Sequence, residues 1–327
     1  MRKRALLIGI NNYPDPYKLR GCIEDIHTLE AVLKKNGDGS PNFDVKILED
    51  EQFSKNAMSE IQRLFSDDSD VALLYFSGHG YVNTTGAEIV FPSNIASDDN
   101  YYTGIQMDDI MRIVNKSRVK NKIIILDCCH SGAMGKYDIR DDKSELQPGV
   151  SILTACREDE YAMEMDGHGV FTELLCDALN GGAADFSGNI TIGGIYAYID
   201  RSFGAWEQRP VFKTNVTEFI PLKTIQPHVE LQIIRELPSL FQTPDSDFHL
   251  DPSFEITNDP SIKHEYKEPY ARPDHIKQFA ALQKLQSIGF VRPVNEDHMY
   301  FAAMNSRPCK LTALGKYYWR LVKNGRI

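Results

Sequence analysis

The chain has 327 residues, of which 42% are hydrophobic and 25% charged, and its formal net charge at pH 7 is −10. These values are ordinary for a globular protein, and the length is enough for a large core and two domains. No apolar run approaches the twenty residues of a membrane-spanning helix, so the sequence predicts no membrane partner.

The N-terminus and the cysteines indicate the compartment. The basic residues at the start precede an apolar run that breaks at Gly9 and Asn11, which is typical of a first strand and not of a secretory signal peptide. The six cysteines include an adjacent pair and lack the spacing of a disulfide framework. We therefore expect a cytoplasmic protein.

Strand and helix patterns alternate to about residue 222. After a first strand beginning near Ala5, the predicted elements are helix 22–33, strand 44–48, helix 55–65, strand 71–76, helix 107–114, strand 122–126, strand 151–155, helices 171–179 and 195–203, and an edge strand 210–213. This βαβ series predicts an α/β fold with a mostly parallel sheet flanked by helices.

Two short polar strings follow buried strands of this series. They are Ser77-Gly78-His79-Gly80 and Asp127-Cys128-Cys129-His130-Ser131-Gly132. Because functional residues of open α/β sheets gather beyond the carboxyl ends of the strands, we expect His79 to meet the cysteine pair there. A thiol needs a neighbouring base to become an effective nucleophile, and His79 would supply it and later protonate the leaving amine. Zinc binding is disfavoured, since three adjacent residues cannot easily surround one ion.

The chain resembles the caspase-like cysteine peptidases, in particular the metacaspases and the caspase-like peptidases of prokaryotes. The matching segments cover about residues 1–222 in family order: 5–11, 19–25, the histidine string, the cysteine string, 153–156, Gly169-Val170-Phe171-Thr172 and 208–210. The resemblance selects Cys129 as the nucleophile, since it immediately precedes His-Ser-Gly. We expect the N–H groups of Gly80 and Cys129 to stabilise the oxyanion.

The resemblance also implies a substrate pocket. Its positions are occupied by Cys22, Asp25, Ser77 and Asp127. Two carboxylates favour a cationic side chain, so we predict cleavage after lysine or, preferably, arginine, which makes a forked contact. The alternative for each carboxylate is a cap on a turn or helix.

The segment between Gly132 and Val150 is polar and carries charges of both signs. A long loop directly after a nucleophile is a candidate for regulation by ordering or self-cleavage. A basic preference makes Lys136, Arg140 and Lys143 the candidate cleavage sites, and the alternative is a solvated connection.

Metacaspases often use calcium, and Asp108, Asp109 and Glu88 resemble parts of that site. Lys136, however, stands where the calcium-dependent pattern has an aspartate, and an ammonium group beside a hard cation is unfavourable. We therefore predict no metal or other cofactor, with calcium dependence as the alternative.

The C-terminal third differs in composition. Residues 221–273 hold eight of the sixteen prolines, which predicts a proline-rich linker over 223–272. Residues 270–327 carry ten basic and three acidic residues, and their pattern of helix, two-stranded wing and helix resembles a small winged-helix module over 273–327. Such a module would bind a regulatory protein, and DNA binding stays open as an alternative.

Together these features predict a caspase-like cysteine endopeptidase for protein substrates. We expect a regulated or self-processing effector in signalling or defence. The alternative is a noncatalytic caspase-like adaptor or a DNA-bound regulator that acts through the C-terminal module.

Overall fold

The structure, a computed structural model, describes residues 1–66, 68–83, 86–95, 104–128, 146–155, 164–165, 168–203, 209–263 and 265–327. They form two units, Met1–Gln226 and Pro227–Ile327. None of the helices in these ranges is long and apolar enough to cross a membrane.

The first unit alternates strands and helices. Its strands are β1 Lys3–Gly9, β2 Phe43–Glu49, β3 Val71–Ser77, β4 Gly80–Asn83, β5 Gly86–Ile89, β6 Ile105–Gln106, β7 Asn121–Asp127, β8 Val150–Thr154, β9 Glu164–Met165, β10 His168–Gly169, β11 Asn189–Ile190, β12 Val211–Asn215 and β13 Lys223–Thr224. Its helices are α1 Cys22–Leu33, α2 Ser54–Ser66, α3 Met107–Lys116, α4 Val170–Asp177 and α5 Ile192–Ser202.

Six of the described strands form one sheet in the order β12-β8-β7-β3-β1-β2. All neighbours in this sheet are parallel except β12 and β8, which are antiparallel. The predicted mostly parallel α/β sheet is confirmed, and the strand after Pro210 lies at its edge, where a proline can be tolerated.

The sheet is buried on both faces, which explains the continuous apolar runs of its strands. Side chains alternate along each strand. On β3, Leu74 and Phe76 pack with α2 and α3, whereas Leu73 and Tyr75 pack with α1, α4 and α5. By the same alternation, Ser77 lies on the face covered by α1 and α4.

A second, antiparallel sheet of β4, β5 and β6 follows β3 directly. The sequence patterns did not predict it, because its strands have only two to four residues each. It begins at Gly80, so it continues the chain from the histidine string.

The second unit contains α6 Leu231–Arg235, α7 Leu237–Leu240, β14 Asp247–His249, α8 Pro273–Ser287, β15 Val291–Pro293, α9 Met299–Met304, β16 Pro308–Leu311 and α10 Ala313–Lys323. The boundary between the two units lies between Gln226 and Pro227, whereas a separate linker was predicted over 223–272. Strand β13 pairs with β11 in the first unit, and β14 pairs with β16 in the second. Phe254 stacks on His275 of α8 with ring centroids 4.1 Å apart. The proline-rich stretch is therefore packed structure in both units.

The winged-helix interpretation of residues 273–327 is not confirmed. Both predicted helices are present as α8 and α10, but residues 299–304 of the predicted wing form the helix α9. Met299, Ala302 and Ala303 are buried at the spacing of one helix face, which stabilises α9 where an alternating strand was expected.

Candidate active site

The backbone of His79 is fixed by Tyr13, a residue of the loop after β1. The Tyr13 hydroxyl accepts a hydrogen bond from the His79 N–H (3.0 Å) and donates one to the Val90 carbonyl (3.0 Å). Val90 in turn donates its N–H to the His79 carbonyl (2.9 Å). Burial raises the pKa of Tyr13 well above its ordinary value, so its hydroxyl keeps its proton and remains a donor. Gly78 is required beside it, because a Cβ there would lie 2.6 Å from the Tyr13 oxygen.

The imidazole of His79 is oriented by a backbone carbonyl. Its Nε2 lies 2.7 Å from the carbonyl oxygen of Tyr17. A carbonyl can only accept, so Nε2 carries the proton and donates it in this bond. In the neutral ring Nδ1 is then the basic nitrogen, and this tautomer suits a proton acceptor.

The loop that supplies the Tyr17 carbonyl is anchored by Asn11 and Asp50. The Asp50 carboxylate accepts the Asn11 N–H (2.7 Å), and the Asn11 carbonyl accepts the N–H of Leu19 (3.0 Å). The Asn11 side-chain oxygen accepts the N–H of Cys22 (3.0 Å) at the start of α1. One loop therefore positions both the histidine partner and the helix that carries two predicted pocket residues.

Gly80 presents its N–H away from its neighbouring strand. In the β4–β5 ladder Gly80 is opposite Ile89, and the bond from Val90 to His79 makes this a non-hydrogen-bonded pair. The Gly80 N–H therefore does not point at β5, as an oxyanion donor requires.

The predicted pocket residues converge at the carboxyl edge of the main sheet. Ser77 and Asp127 are directly opposite each other in register at the ends of β3 and β7. The Ser77 hydroxyl donates to the Asp25 carboxylate of α1 (3.1 Å), and Cys22 begins the same helix. Asp25 and Asp127 are only 3% and 6% exposed. The structure thus gathers two buried carboxylates around Ser77, which lies two residues before His79.

The Asp127 carboxylate is held by residues that sequence patterns did not single out for this purpose. Thr172 in the first turn of α4 donates its hydroxyl proton to Asp127 (2.7 Å), and the Thr172 oxygen lies 2.5 Å from the Tyr75 hydroxyl. Burial, together with the charges of Asp127 and Asp25, raises the pKa of Tyr75 well above its ordinary value. Both carboxylates therefore lie near this phenol.

The predicted nucleophile Cys129 lies outside the described residues, as do the candidate cleavage sites Lys136, Arg140 and Lys143. Its neighbour Cys128 is described and is buried in the core on the α2 and α3 face of the sheet. Cys128 is thus a packing residue.

The described part of the chain does not gather three or more His, Cys, Asp or Glu side chains that could hold a metal ion. Of the residues considered for calcium, Asp109 pairs with Arg112 (2.8 Å), and Glu88 accepts hydrogen bonds from Gly104 and Gln106. Burial raises the pKa of the Glu88 carboxyl, whose Oε1 is buried with no hydrogen-bond partner among the described residues. The absence of a resident metal stays a prediction from the sequence.

The chain matches the sequence model of a known protein family. The sequence model of the caspase-domain family, Peptidase_C14, matches residues 2–219. The chain belongs to the caspase-domain family. The matched region ends within the first unit, and the predicted resemblance is confirmed.

Curated relatives of this caspase-domain protein are metacaspases. Metacaspase-7 of Arabidopsis thaliana is 27% identical over 198 residues, which cover 54% of this chain and 46% of the plant protein. Metacaspase-3 of Trypanosoma cruzi is 31% identical over 147 residues, covering 40% of each chain. The chain therefore spans less than half the length of these relatives.

The crystal structure of Caspase-1 from Spodoptera frugiperda is also similar to this caspase-domain protein. It is 16% identical, covers 70% of this chain and 91% of its own, and aligns with a TM-score of 0.48.

Proposed function

We propose that the protein is a cysteine endopeptidase that cleaves protein substrates after arginine, and less well after lysine. The sulfur of Cys129 attacks the scissile carbonyl carbon while Nδ1 of His79 accepts the thiol proton. The same nitrogen then gives that proton to the leaving amine as the carbon–nitrogen bond breaks. Water hydrolyses the resulting thioester, which releases the carboxylate and returns the thiol.

The oxyanion that forms during the attack needs donors that are already oriented. The N–H of Gly80 and that of Cys129 are the proposed pair. The direction of the Gly80 N–H, away from β5, supports its part in this role.

The buried pair Asp25 and Asp127 is the observation that carries the specificity. Hydrogen bonds from Ser77 and Thr172 favour the charged carboxylates, and burial makes a cationic guest more favourable than in water. An acidic side chain would meet repulsion in the same place. A guanidinium has five N–H donors in a planar fork and can pair with two carboxylates at once, which favours arginine over lysine.

Several further properties are proposals from the sequence. We propose that catalysis uses no resident cofactor and that the enzyme acts in the cytoplasm as an effector in signalling or defence. Self-processing would occur after Lys136, Arg140 or Lys143. Residues 273–327 would contact a regulatory protein.

The second candidate is a noncatalytic adaptor or a DNA-bound regulator. It draws on the basic segment 270–327, but the unit that contains this segment has thirteen basic and twelve acidic residues in all. Lys316 pairs with Asp245, and Lys310 lies opposite Asp247 in the sheet. This balance weakens the electrostatic argument for DNA.

Fluorogenic peptides ending in arginine, lysine or aspartate separate these candidates. Wild-type protein should cleave the arginine peptide best and spare the aspartate peptide, while Cys129→Ala should cleave none. Cleavage after aspartate alone would overturn the pocket assignment and keep the enzyme. If wild type cleaves no peptide with or without added calcium, the adaptor is the better description.

A further inference from the structure

Thr172 links the predicted pocket to the core through a chain of hydroxyl groups. A carboxylate can only accept a hydrogen bond, so the single hydroxyl proton of Thr172 is committed to Asp127. The short contact between Thr172 and Tyr75 must then use the Tyr75 proton. The direction of the chain is fixed, from Tyr75 through Thr172 to the Asp127 carboxylate.

This chain is enclosed by protein. Tyr75 is 0% exposed and Thr172 2% exposed, so water does not compete for the two bonds. In such surroundings a hydrogen bond to a charged group is strong, and a polarised second donor strengthens it. Because the high pKa of Tyr75 keeps its proton in place, the chain donates toward Asp127 throughout the neutral range.

Packing alone does not require a threonine at this position. Phe171 and Leu175 fill the same core with apolar side chains, and valine has the shape of threonine without its hydroxyl. The polar atom of Thr172 instead has a carboxylate partner 45 residues earlier in the chain. That partner is one of the two groups assigned to bind the substrate cation.

We propose that Thr172 and Tyr75 are positioning residues for substrate recognition, which hold the Asp127 carboxylate charged and oriented toward the guanidinium of the residue before the scissile bond. This inference rests on the proposed arginine specificity and assigns a role to the Gly169-Val170-Phe171-Thr172 segment.

The test compares two peptides that differ only in the charge of the residue before the scissile bond, which is arginine in one peptide and citrulline in the other. Citrulline keeps the shape of arginine and is neutral. The ratio of kcat/KM for the two peptides is measured for wild type, Thr172→Val and Thr172→Ser. Thr172→Val alone leaves the buried Tyr75 hydroxyl without its acceptor. The double variant Tyr75→Phe with Thr172→Val removes that hydroxyl as well.

We expect Thr172→Val to lower the arginine-to-citrulline ratio by about tenfold, mainly through KM, with little change on citrulline. Thr172→Ser should restore the ratio because it restores the donor. The double variant should keep the low ratio and fold at least as stably as Thr172→Val.

An unchanged ratio in the Thr172→Val and double variants, or an equal loss on both peptides, would overturn the positioning role while leaving arginine specificity in place. A wild-type enzyme with no preference for arginine over citrulline would instead overturn the proposed specificity and this inference with it.

Discussion

His79 is positioned by two tyrosines that lie more than sixty residues earlier in the chain. Tyr13 holds its backbone and Tyr17 holds its ring, the latter through a main-chain carbonyl. The contact from Tyr13 uses its side-chain hydroxyl, whereas the contact from Tyr17 uses only its main chain. Removing each hydroxyl therefore gives a matched pair of variants.

Tyr13→Phe removes a buried hydroxyl that accepts from His79 and donates to Val90. We expect kcat to fall by about tenfold and the free energy of unfolding to fall by about 1–3 kcal/mol, since the His79 N–H and the Val90 carbonyl lose their partner. Steady-state kinetics and urea denaturation measure both effects. Tyr17→Phe is the control, because the main-chain carbonyl remains, and equal losses in both variants would contradict the account.

Lys3 is a buried ammonium group that donates to Asn42 (2.8 Å) and to the Leu222 carbonyl (3.1 Å). Burial lowers its pKa to about 8 from 10.5. Between these values the unfolded chain binds more protons than the folded one, so the stability contribution of this group rises with pH.

Lys3→Met removes the titrating group, so the difference in unfolding free energy between wild type and this variant reports the contribution of Lys3. The free energy of unfolding of wild type relative to the variant should rise between pH 8 and 10, by on the order of 1 kcal/mol per pH unit. Chemical denaturation at several pH values measures it. A difference that does not change with pH would show that Lys3 titrates normally.

Helix α1 approaches the main sheet through Gly9 at the end of β1. A Cβ at Gly9 would lie 2.4 Å from the carbonyl oxygen of Cys22, the first residue of that helix. Because α1 carries Asp25, the close approach at Gly9 helps to set where one pocket carboxylate lies.

Gly9→Ala should therefore displace α1, lower the free energy of unfolding by about 1–3 kcal/mol and raise KM for an arginine peptide. Gly193→Ala is the matched control. The nearest atoms to its Cβ belong to the Phe219 side chain at 3.2 Å, which can move, and alanine favours the helix. Gly9→Ala with wild-type stability and KM would contradict the role of this contact.

The main sheet was predictable because its strands are continuous apolar runs that end in polar strings. The predicted helix over 22–33 agrees with α1, and the mostly parallel direction of the strands follows from their alternation with helices. Strands β4, β5 and β6 are too short for a periodic signal.

The pocket positions came from the family resemblance, but the partners of its carboxylates did not. The Thr172–Asp127 bond spans 45 residues, and no local pattern reports a contact between the start of one helix and the end of a distant strand. The same holds for Tyr13 and His79. The predicted two-stranded wing was not confirmed for a different reason. The buried residues of α9 have the spacing of a helix and not the alternation of a strand.

At the level of the whole chain, residues 227–269, with nine acidic and three basic residues, form a single unit with the basic residues 270–327. Phe254 joins them: its ring stacks on His275 and meets Phe248 edge-on, with centroids 5.7 Å apart. A flexible linker would have no such contacts.

Phe254→Ala should destabilise this second unit by about 3–5 kcal/mol. Hydrogen exchange followed by mass spectrometry should show faster exchange in α8, with unchanged protection in β1 and β3 of the first unit. Ile256→Ala is the control, because its side chain is 57% exposed. Unchanged exchange in α8 would mean that the proline-rich stretch behaves as a linker after all.

Mapping every bond that the purified protein cleaves in an unbiased peptide library, by mass spectrometry, tests the central claim most directly. We predict that wild-type protein cuts after arginine and lysine, with arginine dominant, and that Cys129→Ala and His79→Ala produce no cuts. Cuts by either variant at the wild-type rate, or wild-type cuts mainly after acidic residues, would contradict the account.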